Sequence, residues 1–339
     1  MSRAAPSLVV HADWGIGAAS RWIAVAEQVD DRWVAHAPRR LHTPGLLPAL
    51  AADGRPAIFG VDAPMGVPRA YARRAGIRSF REWLLILGEG DWRQVYEVCE
   101  TADEIALTRP FYPKRPGGTS RAHLTVALGC SWDELLRLCD RAHRARRAAS
   151  PLFWTLGGQQ VGKGALALWR EVLQPALGDL AIGLWPFDGS FESLAASKAL
   201  VVVETYPTEL HERLGIRFAS GGKRVQAART AQAPALRGAA DRLGVDLEPR
   251  LASAIASGFG RDDGVDDGFD AVVGLVGMLD VLARGRIEIP ADPAVHTVEG
   301  WMFGMSAAAT GSSGQVLGSV PLTRPEGTRA AGAAPSEPA

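Results

Sequence analysis

Acidic residues follow three separate apolar stretches of the sequence. Asp13 ends the first stretch near the N-terminus, Asp62 follows residues 57–61, and Glu204 follows the valines at 201–203. Short, uninterrupted apolar runs are typical of buried strands. If the three strands are parallel, their carboxyl ends meet at one edge of the sheet, where open α/β sheets bind ligands. The sequence therefore predicts that these three carboxylates lie near one another.

A further acidic group stands at the start of the last apolar helical pattern. Asp270 precedes a long apolar run, and Asp266 and Asp267 come four and three residues before it. These spacings place each of them on the helical face of Asp270, provided that the helix begins that early. The residues below Asp270 on that face are small, among them Gly274 and Gly277, so the helix can lie close against a sheet. We expect Asp270 to face the strand edge.

Carboxylates gathered in a half-buried place repel one another and raise each other's pKa values, so the arrangement is unfavourable without a cation. Oxygen ligands alone favour Mg²⁺ or Mn²⁺. Two such ions roughly 3.5 to 4 Å apart activate a water and stabilise the leaving oxygen of a phosphodiester. The acidic cluster therefore predicts a divalent cation and phosphodiester hydrolysis.

Each acidic residue also has an explanation that involves no ligand. Asp13 and Asp62 precede turn sequences and could initiate those turns. Glu204 could be an exposed charge at a strand end. The aspartates at 262–267 could cap a helix N-terminus, where the helix dipole favours negative charge. Asp270 lies past the first turn, where that effect fades, so a capping role does not explain it.

The elements that must position these residues follow from the hydrophobic pattern. Residues 7–13 are predicted as a buried strand. Residues 21–29 and 32–38 alternate apolar and polar residues and complete a three-stranded meander. Residues 46–52 form a short helix, and residues 57–62 form a fourth strand. A fifth strand is predicted at 199–206. Helices are expected in six further segments. They cover residues 80–87, 132–148, 165–173, 225–243, 250–256 and 267–283.

These elements give an α/β fold with a mixed five-stranded sheet in the order β-β-β-α-β-α-β-α. A large helical insertion at about 65–198 separates strands 4 and 5, and the whole occupies residues 1–305 as one domain. Residues 306–339 form an Ala/Gly/Ser/Pro mixture, which predicts a disordered tail.

Composition limits the classes of function. The chain has 339 residues, with 37 Lys and Arg against 37 Asp and Glu, so no overall charge attracts nucleic acid or membrane. The three cysteines never occur as Cys-x-x-Cys, which argues against a disulfide framework and a zinc site. No apolar run approaches the length of a membrane-spanning helix, and no signal peptide pattern occurs. We therefore expect a cytoplasmic protein.

Five short segments together resemble the family called domain of unknown function 429, whose members are predicted ribonuclease-H-like nucleases. The segments are residues 11–15, 61–66, 203–207, 267–271 and 299–301. The resemblance extends over roughly residues 7–305, although the insertion contributes little to it. The resemblance rests mainly on the order of the segments along the chain. The first three lie at predicted strands, and the fourth lies at the closing helix.

The resemblance implies a ribonuclease-H-like core and a two-metal nuclease that takes Mg²⁺ or Mn²⁺ and acts on nucleic acid. By similarity to nucleases of that fold, it assigns Asp13, Asp62, Asp267 and Asp270 to the metal. Glu204 is implied as a fifth acid at the same site.

Basic residues provide candidates for contact with substrate phosphate. Lys114 and Arg115 belong to one basic cluster, and Lys223 and Arg224 follow a Gly-Gly turn. Lys163 lies in a glycine-rich segment, residues 157–164, that nearly matches a phosphate-binding loop. Position 164 is glycine where that motif needs serine or threonine, so a simple turn before a helix is preferred. The basic clusters could also be solvated faces of helices.

Two other functions remain open at this point. The glycine-rich turn at 13–20 is similar to the first hairpin that sugar kinases and related ATPases of this fold use against phosphate, which indicates a phosphate-binding kinase or ATPase-like protein. A catalytically silent module could instead bind nucleic acid or protein on the same face.

Overall fold

The centre of the protein is a mixed α/β core built on one sheet. The computed structural model describes residues 6–144, 146–157, 160–218, 222–261, 265–285 and 287–310. Within these ranges the sheet has eight strands. They are β1 (Leu8–Asp13), β2 (Trp22–Val29), β3 (Arg32–Ala35), β4 (Arg39–Arg40), β5 (Ala57–Val61), β6 (Ile182–Leu184), β7 (Leu200–Glu204) and β8 (Val245–Leu247).

The strand order is β6-β7-β5-β1-β2-β3-β8, and β4 pairs with β2. Strands β6, β7, β5 and β1 are parallel to one another, whereas β2 is antiparallel to β1 and to β3. Asp30 and Asp31 form the two-residue turn between β2 and β3 with φ values of 48° and 64°. Positive φ at both positions is the turn geometry that matches the twist of paired strands.

Helices surround the sheet. They are α1 (Leu46–Ala52), α2 (Arg69–Arg74), α3 (Phe80–Ile86), α4 (Arg121–Leu128), α5 (Val161–Leu168), α6 (Gln174–Ala176), α7 (Phe191–Ser197), α8 (Pro207–Leu214), α9 (Gln226–Thr230), α10 (Ala233–Leu243), α11 (Pro249–Ala256) and α12 (Val265–Ala283). Residues Trp169–Leu173 and Val295–Glu299 are π-helical. Short 3-10 helices cover Ala18–Ser20, Gly90–Trp92, Ala102–Glu104, Asp133–Leu135, Leu138–Asp140, Gly222–Arg224 and Ala307–Thr310.

The central strands are buried on both faces, because side chains alternate between two cores. Val10 and Phe59 belong to the core on the side of the insertion, which also contains Trp169. Val9 and Ile58 belong to the core that contains α12. Burial on both faces explains why these strands are continuous apolar runs in the sequence rather than alternating ones.

Helix α12 packs closely on β1, as its small residues predicted. A Cβ atom at Gly274 would lie only 2.1 Å from the ring of His11, and one at Gly277 would lie 2.4 Å from Leu210. The fully buried His11 ring hydrogen-bonds to the carbonyl oxygen of Ala271 through Nδ1 (3.0 Å) and to Thr205 Oγ1 through Nε2 (2.8 Å). Burial lowers the pKa of His11 to about 3, so the ring is neutral. A neutral ring that faces a carbonyl through Nδ1 donates there and accepts from Thr205.

All five predicted strands are present, but the prediction of a five-stranded sheet was wrong. The additional strands β4, β6 and β8 have two or three residues each. Such short segments carry no periodic signal, and only pairing with a neighbouring strand defines them. Because β6 pairs with β7, the sheet extends into the last part of the predicted insertion at 65–198.

The helix expected at 132–148 is also absent from the described part of that segment. Two 3-10 helices, Asp133–Leu135 and Leu138–Asp140, stand in its place. The Arg137 side chain between them is fully buried, and its ion pairs outweigh the local helical preference. Helix α12, by contrast, begins at Val265. It therefore includes Asp266 and Asp267, which is required for them to share a helical face with Asp270.

Residues 311–339 of the predicted tail lie outside the described residues. Among the described residues, no helix is both long enough and apolar enough to span a membrane.

Candidate active site

A cavity of about 520 Å³ opens at the carboxyl edge of the parallel strands. Strands β1, β5 and β7 are parallel, which is the condition under which their acidic residues share one edge. Helix α12 contributes aspartates from its first two turns. The acidic residues that line the cavity are Asp13, Asp62, Asp140, Glu204, Asp266, Asp267 and Asp270.

Asp13 and Asp62 extend from neighbouring strands. Ala12 pairs with Val61, and the backbone N–H of Asp62 donates to the carbonyl oxygen of Ala12 at 3.0 Å. Both side chains are partly exposed, and both line the cavity. Their position therefore follows directly from the register of the two strands.

The surroundings of Asp13 and Asp62 disfavour the charged form of both carboxylates. Burial, followed by the charge of Asp62, raises the pKa of Asp13 well above its usual range. Burial raises the pKa of Asp62 to about 7, with Lys223 opposing the rise and Glu204 adding to it. Carboxylates with such raised pKa values gain stability from a cation that neutralises them.

Asp270 is the most deeply buried acid of the cluster, with 1% of its surface exposed. Its Oδ2 forms an ion pair with Nζ of Lys223. Its Oδ1 has no hydrogen-bond partner among the described residues. Buried carboxylate oxygens are nearly always partnered, so an unpartnered one that lines a cavity indicates a place for a ligand.

Asp267 lies one helical turn before Asp270 and is partly exposed. Burial, followed by the charge of Asp266, raises the pKa of Asp267, with Lys223 and then Arg40 opposing. The other predicted aspartates of this segment, Asp262 and Asp263, lie outside the described residues.

Glu204 lies at the same edge, but its carboxylate is engaged by protein groups. Arg137 donates to both of its oxygens at 2.6 and 2.7 Å, and the backbone N–H of Met65 donates to Oε2 at 2.7 Å. Arg137 also binds both oxygens of Asp140 at 2.9 Å. The structure therefore places Glu204 in a buried ion-pair cluster at the cavity floor.

Arg137 and Asp140 were not singled out as site residues by the sequence. Arg137 belongs to an arginine-rich segment of the sequence, yet its side chain is fully buried. The signal that could have found it is the Arg-x-x-Asp spacing in a segment whose other residues are apolar. That spacing alone does not show that Glu204 is the third residue of the ion-pair cluster.

The segment at 299–301 supports the loop that follows Asp62. Gly66 and Gly300 have φ values of 134° and 72°, which favour glycine. A Cβ atom at Gly66 would lie 2.1 Å from the carbonyl oxygen of Glu299, and one at Gly300 would lie 2.1 Å from that of Met65. Two backbone segments therefore cross at close approach, in the loop whose first residues, Ala63 and Pro64, line the cavity.

The glycine-rich turn after Asp13 is fixed to the insertion. Arg21, 1% exposed, donates to the carbonyl oxygens of Gly15 and Ile16 at 2.9 Å. Its guanidinium lies 4.1 Å from the centre of the Trp14 ring, and the Trp14 indole donates to the carbonyl oxygen of Gly164 at 3.1 Å. The turn therefore forms a fixed wall of the cavity.

Of the predicted phosphate contacts, Lys223 and Arg224 line the cavity. The remaining candidates, Lys163, Lys114 and Arg115, are not among its lining residues. Lys163 donates to the carbonyl oxygen of Lys114 at 3.1 Å, and Lys114 and Arg115 both pair with Glu100. Gly158 and Gln159 of the phosphate-loop-like segment lie outside the described residues.

The acidic side chains of the cavity are oxygen donors of the kind that divalent cations bind. Among the described residues, no group of three or more His, Cys, Asp or Glu side chains is arranged to hold a metal ion. Mg²⁺, however, keeps several waters and is usually bound by one or two carboxylates together with substrate phosphate. Asp13, Asp62 and the unpartnered oxygen of Asp270 fit a site of that kind rather than a preformed cage.

Comparison of the chain with protein-family models, with curated proteins and with solved structures finds no match. The chemistry of the cavity is therefore the basis for assigning a function.

Proposed function

We propose that this protein is a Mg²⁺- or Mn²⁺-dependent phosphodiesterase that acts on nucleic acid, with a ribonuclease-H-like fold. The observation that carries the proposal is the meeting of Asp13 and Asp62, on adjacent parallel strands, with Asp270 from α12 in one cavity. These three acids come from distant parts of the chain, and turn formation or helix capping does not explain why they converge.

The sheet supports the proposed fold. Its five longest central strands comprise an antiparallel meander, β1 to β3, followed by two strands parallel to β1. This is the mixed arrangement expected from the resemblance to the domain of unknown function 429 family. Helix α12, which carries the last acidic residue, packs on the meander through His11 and Gly274.

In this proposal, Asp13, Asp62 and Asp270 hold the cation, and Asp267 contributes from the first turn of α12. The bound cation would supply charge stabilisation at the phosphate and an activated water. Lys223 and Arg224 line the same cavity and would neutralise the phosphate oxygens of the substrate.

Glu204 has a supporting role in this proposal. Its bond from the Met65 amide and its ion pair with Arg137 fix the loop that follows Asp62. Because Arg137 and Met65 already engage its oxygens, Glu204 orients the neighbouring carboxylates instead of binding the cation.

The test is cleavage of single-stranded, duplex and branched DNA and RNA in the presence of Mn²⁺. Loss of one cation-holding carboxylate removes several kcal/mol of transition-state stabilisation, so Asp62→Asn should lower the rate by at least about a hundredfold. The matched control is Glu100→Gln, which alters an acid outside the cavity that pairs with Lys114 and Arg115. Absence of cleavage by the wild type on every substrate, or full activity of Asp62→Asn, would overturn the proposal.

A further inference from the structure

Lys223 lines the cavity together with the acidic residues. Its ammonium pairs with Asp270 and also lowers the pKa values of Asp13, Asp62 and Asp267. One side chain thus acts electrostatically on the whole predicted set of metal ligands. A divalent cation bound in the cavity would act on the same four carboxylates.

The unpartnered oxygen of Asp270 is a second, independent observation. Lys223 satisfies Oδ2, while Oδ1 remains buried without a hydrogen bond from any described residue. An ammonium engages this carboxylate on one side only. The carboxylate keeps one oxygen for a further positively charged ligand.

Lys223 is also placed so that it can move. It lies in the short 3-10 helix Gly222–Arg224, and 43% of its side chain is exposed, whereas Asp270 is almost fully buried. Lysine carries a compact charge on a flexible stem with three rotatable donors. Release from Asp270 would leave the ammonium in the cavity, where it can reach a phosphate.

We propose that Lys223 is a built-in counter-cation that stabilises the acidic cluster before the divalent ion binds and is displaced from Asp270 when it does. This inference rests on the proposed function, because it assumes that the cluster takes a divalent cation. Displacement turns the ammonium toward the substrate phosphate. Binding of the metal therefore prepares the site for its substrate.

The first experiment compares thermal unfolding in EDTA for the wild type and Lys223→Met, each with and without Asp270→Asn. Lys223→Met should lower the melting temperature more when Asp270 is present than in the Asp270→Asn protein, where Lys223 still acts on Asp13, Asp62 and Asp267 but has lost its ion pair. Lys114→Met is the matched control, since it removes a lysine that pairs with a surface acid outside the cavity. Equal effects of Lys223→Met in both backgrounds would overturn the role as counter-cation.

The second experiment measures Mn²⁺ binding without nucleic acid by electron paramagnetic resonance. Removal of the competing ammonium should tighten Mn²⁺ binding at least about fivefold in Lys223→Met, and Lys223→Arg should bind no more tightly than the wild type. If the wild type binds Mn²⁺ and Lys223→Met binds it with the same affinity, displacement is overturned while the proposed function stands. If neither protein binds Mn²⁺, the proposed function itself is overturned.

Discussion

Replacement of Arg137 by methionine tests the buried ion-pair cluster beneath the cavity. Methionine preserves much of the side-chain length and removes the charge. In the wild type, Arg137 is fully buried and supplies charged hydrogen bonds to Glu204 and Asp140, which are 2% and 3% exposed. The variant Arg137→Met leaves both carboxylates buried without their cation.

The expected loss is large. Removal of one partner from a buried ion pair costs about 3–5 kcal/mol, and Arg137 serves two acids. Since proteins are stable by roughly 5–15 kcal/mol, this is a large fraction of the free energy of unfolding. The pH dependence has a definite sign. Burial raises the pKa of Glu204 even with Arg137 opposing, so loss of Arg137 raises it further. The destabilisation of the variant relative to the wild type therefore grows as the pH rises through the pKa of Glu204 in the folded wild type, which itself lies above its ordinary value.

Urea denaturation at pH 5 and pH 8 measures both effects. The control is Arg115→Met, because Arg115 is 75% exposed and its ion pair with Glu100 lies in solvent, where such pairs contribute little to stability. If Arg137→Met is too unstable to fold, the further changes Glu204→Gln and Asp140→Asn should restore folding by removing the unpaired charges. A variant within about 1 kcal/mol of the wild type at pH 8, or one destabilised more at pH 5 than at pH 8, would refute this reasoning.

Two further predictions concern the sheet edge and its helix. Burial raises the pKa of Asp62 to about 7, so the folded, metal-free protein keeps a proton that the unfolded chain releases near pH 4. The stability of the wild type in EDTA, relative to Asp62→Asn, should therefore fall by about 3 kcal/mol between pH 4 and pH 7 in thermal melts. A difference that stays constant over this range would contradict the raised pKa of Asp62. Gly274→Ala should destabilise the protein by about 2–3 kcal/mol in urea, because its methyl group would collide with His11. Gly178→Ala, which meets no atom within 4 Å, is the control, and equal stability of the two variants would show that α12 can move away from β1.

The central strands and the acidic edge could be predicted because their signals are local. A doubly buried strand is a short apolar run, and an acid directly after such a run has to lie at the carboxyl edge. The close approach of α12 was likewise readable from the glycines on the face below Asp270. The same local reasoning placed Asp13 and Asp62 at strand ends, whereas the pairing of their two strands is seen only in the structure.

The rest depended on contacts between distant residues. Residues 132–148 have a helical composition, yet the ion pairs of Arg137 with Glu204 and Asp140 hold the segment in another conformation. Strands β4 and β6 exist because a neighbouring strand supplies their hydrogen bonds. Similarly, the turn that carries Lys223 was a recognisable candidate for phosphate contact, but no local pattern connects it with Asp270.

The order in which the acidic residues occur along the chain has a consequence for biosynthesis. Asp13 and Asp62 emerge early, whereas Lys223 and Asp270 follow about 200 residues later, which is roughly 10–40 s at typical rates of translation. Until then the nascent chain holds two like charges at one edge with neither their counter-cation nor the third acid. The edge between β1 and β5 is therefore expected to stay open and solvated on the ribosome, and α12 completes the site as one of the last steps of folding. Pulsed proteolysis of ribosome-bound chains that end before and after α12 would show this, through cleavage near Asp62 that disappears only in the longer chain.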